Sequence, residues 1–159
     1  MEPGQDRNIA ALTFPFRVCF FLGENMDNKI IEKELNKLIL RAKKNNEVPI
    51  AALIVKNNKI IAKAYNKVNK TNNILDHAEI LAIKKASKIF NNWRLIDCEL
   101  YVTLEPCSMC KEIIKKSRIK NVYYYSKQNN YKTESDTTYK YIEDNIFSNI
   151  LTNFFKEKR

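Results

Sequence analysis

The chain has 159 residues, 45% of them hydrophobic, and carries a net charge of +10 from 28 Lys+Arg against 18 Asp+Glu. That length fits one domain that buries a core without disulfide staples, and the hydrophobic fraction excludes a wholly disordered chain. The basic excess fits a polyanionic partner, RNA or DNA first; the 22 Lys against 6 Arg, with 20 Asn and 19 Ile, fit an AT-rich coding bias equally well.

Residues 1–25 are unlike the rest. Ile9 to Leu22 is apolar but interrupted by Pro15 and Arg17, too short and broken for a membrane span. Glu2 and Asp6 and the lack of a small-residue cleavage site argue against a signal peptide. Met26 has the look of a natural start, so 1–25 is expected to be a non-native or disordered extension and 26–159 a single domain.

From Lys29 to Lys44, Ile30, Ile31, Leu35, Leu38, Ile39 and Ala42 recur at helical spacing. Pro49 bars continuation of that helix. Ile50 to Val55 is an unbroken apolar run, which predicts a strand buried on both faces. Asn57-Asn58 turns it into a second strand, Lys59 to Asn66, as a hairpin. Lys67 to Leu75 is a polar loop. Asp76 is the expected N-cap of a helix from His77 to about Phe90, with Ile80, Leu81, Ile83, Ala86 and Ile89 inward. Glu99 to Glu105 is a third strand, Cys107 to Ser117 a short helix and Asn121 to Tyr125 a fourth strand. Ser126 to Thr138 is polar and predicts a loop. Lys140 to Glu157 is a closing helix with an apolar stripe, and no fifth strand stands out before it. The alternation predicts an α/β domain, three-layer α-β-α with a mixed central sheet.

Two segments carry chemistry: His77-Ala78-Glu79 and Pro106-Cys107-Ser108-Met109-Cys110. His77 is the only histidine of the chain. Catalytic zinc takes three protein ligands and leaves a fourth position open, and His77, Cys107 and Cys110 supply three. Both segments fall at helix starts, where the dipole favours a thiolate. Glu79 is placed to handle protons for a water acidified by the metal. The reaction this predicts is hydrolytic deamination of an amidine-like carbon. A Cys-x-x-Cys pair alone also fits a redox couple or half of a structural zinc site. A redox couple needs no His-x-Glu, and a closed site needs a fourth ligand, for which Cys98 is expected at the wrong end of its strand. With no patterned cysteines beyond the pair, the chain reads as a protein of a reducing cytoplasm.

At these residues the chain resembles the cytidine/deoxycytidylate deaminase superfamily and, within it, the bacterial tRNA-specific adenosine deaminases. The likeness runs through Val48-Pro49-Ile50, Asn66, His77-Ala78-Glu79-Ile80, Trp93 to Asp97, Leu100 to Cys110 and Ser117-Arg118-Ile119, and returns at Asn153-Phe154-Phe155. It implies a cytidine deaminase-like fold with a five-stranded sheet, a homodimer, and conversion of adenosine to inosine at the wobble position of a tRNA anticodon. It implies one zinc per subunit on His77, Cys107 and Cys110, Glu79 as proton shuttle and Asn66 as a base contact. The chain departs from the family pattern at Ala51 (usually Gly), at Lys111-Glu112-Ile113 (usually small) and at Gln128 (usually Asp). The other readings are a deaminase of a free base or nucleoside of guanine or cytosine type, and a non-catalytic RNA-binding subunit. Lys127 to Lys132 mixes Lys and Tyr as an RNA-contacting loop would.

Overall fold

The computed structural model describes residues 27–128 and 136–158. The expected extension at 1–25 and the Tyr131-Lys132 part of the loop lie outside the described residues.

Helix α1 (Asn28–Lys44) starts at Asp27, whose carboxylate accepts from Lys29 N–H, and ends in a basic turn of Arg41, Lys43 and Lys44 that complements its dipole. Strand β1 (Ala51–Lys56) and β2 (Lys59–Tyr65) form the expected hairpin. Its two loop residues, Asn57 and Asn58, have φ of 50° and 56°, as the tight turn that matches strand twist requires. Five of the seven described non-glycine residues with positive φ are asparagines, including Asn72 and Asn91 at helix ends. Both glycines of the chain lie in its first 25 residues, so asparagine does the left-handed work here. The Asn richness is thus partly structural.

Short α2 (Val68–Thr71) interrupts the expected polar loop and is followed by α3 (Ala78–Phe90), β3 (Glu99–Val102), α4 (Ser108–Lys116) and β4 (Asn121–Tyr124). A fifth strand, β5 (Thr138–Tyr141), parallel to β4, takes the end of the expected loop and the expected start of the last helix. Helix α5 (Asn145–Glu157) begins later, at Asp144, whose carboxylate caps Ile146 N–H at 2.6 Å.

Sheet order is β2-β1-β3-β4-β5, with β1 antiparallel to both neighbours and β3, β4 and β5 parallel. Each face carries its own core. On one, Ala78, Ala82, Ala86, Cys110 and Ile114 of α3 and α4 pack on Ala52, Ile54, Leu100 and Val122. On the other, Ile31, Leu35, Leu38 and Ile39 of α1 and Phe147 of α5 pack on Leu53, Val55, Tyr101 and Tyr125. Each fully buried aliphatic side chain contributes about 1.5–3 kcal/mol. The α/β three-layer architecture with a mixed sheet is therefore as expected. Four apolar positions are not: Ile30, Ile89, and Ile146 and Phe155 of the closing helix's expected stripe are 49%, 61%, 57% and 50% exposed, because each lies just off its helix's buried stripe.

Tyr125 is fully buried, edge-on to Phe147 at 5.0 Å, and its hydroxyl has no hydrogen-bond partner among the described residues. An unpaired buried hydroxyl costs about 1–3 kcal/mol. Tyr125→Phe is accordingly expected to hold or raise the midpoint of urea denaturation; a lower midpoint at unchanged m-value would refute it.

Candidate active site

Four segments meet at the edge of the sheet where β3 and β4 end. Thr103, just past β3, donates its N–H to the Ala51 carbonyl, and Ala51 N–H returns a bond to Thr103 Oγ1, both at 3.1 Å. That locks the start of β1 beside the end of β3. Asn66, just past β2, donates its N–H to the Ile50 carbonyl at 3.0 Å. Lys67 N–H then reaches the Asp76 carbonyl at 3.0 Å, drawing the start of α3 to the same edge. In α/β sheets the strand ends are where binding sites form.

His77 is the N-cap residue of α3 and Cys107 that of α4. Asp76 is not the cap, since His77 itself is still extended (φ −63°, ψ 150°). Neither side chain caps its own helix in the usual way, and the two lie against each other. His77 Nδ1 lies 3.8 Å from Cys107 Sγ and 3.5 Å from Cys110 Sγ. The nitrogen and both sulfurs all fall within 4.8 Å of one another. Glu79, in the first turn of α3, is 4% exposed.

Hydrogen bonds from Cys110 and then His77 pull the Cys107 thiol down to about 4. Cys110 moves up, because it donates to Cys107 and is buried. His77 is raised, chiefly by its bond to Cys107. Burial raises Glu79. The group therefore holds a thiolate shared between two donors, a place a cation can take with release of protons.

Two sulfurs and one imidazole nitrogen suit zinc. No other described His, Cys, Asp or Glu joins the group. Cys98 is buried at the opposite end of β3, as expected, so among the described residues it does not close the set. The group can hold a metal ion with a position to spare.

A family model for MafB19-like deaminases matches residues 25–159. The chain belongs to the MafB19-like deaminase family. Among curated relatives of this MafB19-like deaminase, a tRNA-specific adenosine deaminase of Rickettsia bellii is 51% identical over 50% of the chain; the match spans 56% of that relative's length, little more than half. One of Buchnera aphidicola is 39% identical over 74% of the chain and 87% of its own length. A solved structure from work on A-to-I editing by tRNA:A34 deaminases at the wobble position of transfer RNA superposes with a TM-score of 0.64 at 28% identity, covering 72% of this chain and 97% of that one.

Three positions expected from the sequence to differ from the deaminase pattern, Ala51, Lys111 and Gln128, can be placed. Ala51 is fully buried in the β1 core. Lys111 is 6% exposed and its Nζ pairs with Glu105 Oε1 at 2.9 Å. The other Glu105 oxygen accepts Gln128 N–H at 3.2 Å, so the root of the loop after β4 is tied to the turn that presents Cys107. Asn66 is 5% exposed, with its Nδ2 on Glu47 Oε2 at 3.1 Å. Glu47 was invisible in the sequence: a single acid before Val-Pro-Ile carries no periodic signal of burial. No described helix is long and apolar enough to cross a membrane.

Proposed function

We propose that this MafB19-like deaminase converts adenosine to inosine at the wobble position of a tRNA anticodon, as a cytoplasmic homodimer with one zinc per subunit. The observation that carries the reading is His77, Cys107 and Cys110 gathered within 4.8 Å, with a buried Glu79 two residues from the histidine. The activity for which the relatives are named and the net charge of +10 support the substrate.

His77, Cys107 and Cys110 would hold the zinc. Bound there, it supplies a water acidic enough to attack at neutral pH. The Glu79 carboxylate would take one proton of the attacking water and give it to N1 of the adenine, then take the second from the hydroxyl left on C6 and give it to the amine, which leaves as ammonia. Burial of Glu79 favours its protonated form, which suits a group that must give the proton back. Asn66 offers both donor and acceptor atoms to a purine edge. An anticodon loop presents its base already partly unstacked, which lowers the cost of taking it into the site.

The test is to incubate zinc-loaded protein with an anticodon stem-loop carrying a wobble adenosine and, separately, with free adenosine, guanine and cytosine. Inosine in the stem-loop and no ammonia from the free compounds is the expected result. Ammonia from a free base with an unmodified stem-loop would overturn the substrate. Affinity for the stem-loop should fall steeply with salt, as phosphate contacts require.

A further inference from the structure

Among the described residues, Glu47 is the most deeply buried charged side chain, at 0% exposure, and the chemistry above gives it no task. A buried carboxylate is tolerable only when its oxygens are hydrogen-bonded. Oε2 accepts Asn66 Nδ2 at 3.1 Å and Asn69 N–H at 3.2 Å, and Oε1 accepts Lys70 N–H at 2.7 Å. Glu47 is itself anchored, through its own N–H to the Ala42 carbonyl at 3.0 Å. One carboxylate thus joins the end of α1, the end of β2 and the first turn of α2.

The pairing constrains Asn66. With donors on both oxygens the Glu47 carboxyl acts as acceptor only, so the Asn66 amide must face it with NH2. The flipped amide would set oxygen against oxygen. One rotational state survives, and with it one arrangement of the remaining amide atoms. The backbone of Asn66 is pinned as well, by Ile50, and the next residue by Asp76, beside His77.

We infer that Glu47 is a positioning residue for base recognition, fixing the flip and location of the Asn66 amide from behind. It rests on Asn66 contacting the base. Glu47→Gln introduces an NH2 that must confront one of the three donors, so at least one bond is lost. The amide of Asn66 is then free to flip.

The experiment is a double-mutant cycle of Glu47→Gln and Asn66→Ala, read as kcat/KM on whichever base the wild type turns over, with the Asn66 side-chain 15N amide signal followed by NMR. Glu47→Gln is expected to move that signal and lower kcat/KM roughly tenfold to a hundredfold, the usual cost of a misplaced binding group. In the Asn66→Ala background it should cost nothing more, since the coupling has lost its second member. Additive losses, or unchanged kcat/KM in Glu47→Gln, would overturn the positioning role. Full kcat/KM in Asn66→Ala would instead reject the contact of Asn66 with the base, and a wild type active only on a free base would reject the tRNA substrate while leaving the cycle readable. If the Gln variant does not fold, Glu47→Asp keeps the charge, shortens the reach, and is held to the same outcomes.

Discussion

Glu79→Ala is expected to bind zinc at wild-type stoichiometry and to turn over substrate about a thousandfold more slowly, within the range general acid–base groups contribute. Glu79 is not one of the three candidate ligands, so removing its carboxyl costs a hydrogen bond from Cys110 but no donor atom. It sits in the first turn of α3, and alanine is the best helix former, so the helix is kept. It is also 4% exposed, and its removal relieves a desolvated carboxyl, so stability should not fall much. Elemental analysis, thermal melting and single-turnover assay on the stem-loop check the three parts. Wild-type turnover in Glu79→Ala would eliminate Glu79 as the proton shuttle, whatever the metal content.

Cys107→Ala is expected to do the opposite: lose the zinc, and stability with it. Cys107 is the N-cap of α4, and its sulfur joins Cys110 to His77 from the neighbouring helix. Without it two ligands remain, too few for a catalytic zinc site. At free zinc a thousandfold above Kd, binding stabilises the folded state by about 4 kcal/mol. For a domain of this size that corresponds to a drop in Tm of about 8–16 °C. A chelator should produce the same drop in the wild type and none in Cys107→Ala, because the variant has no site left to empty. Cys98→Ala, altered outside the group, should keep its metal. Zinc at wild-type stoichiometry in Cys107→Ala, or a wild-type Tm insensitive to chelation, would reject the assigned ligands.

The two positions differ in how they could be read. Cys107 and Cys110 lie within one helical turn, so their spacing alone places both sulfurs on one side. The same locality makes the β1–β2 hairpin legible, through an apolar run, two asparagines and a returning strand. It makes α1 and α3 legible through their stripes. The same locality hides Thr138–Tyr141. It is a four-residue edge strand with no fully buried member, and it leaves no alternation to read. Ile142 lies at helical spacing from Ile146 and mimics a longer helix, but the Asp144 cap starts α5 only after it.

By itself, then, the amino-acid sequence determined the donor types, the acid beside them and the alternation of strands and helices. Each of these is written in residues a few positions apart. The tertiary structure alone decided that His77 meets two sulfurs 30 and 33 positions away, and that Glu47 meets Asn66 across 19. Those meetings depend on which strands pair and in what register, a property of the packed sheet that no local spacing encodes. Glu47 shows this most plainly, since nothing around it in the chain distinguishes a buried acceptor of three hydrogen bonds from an ordinary surface acid.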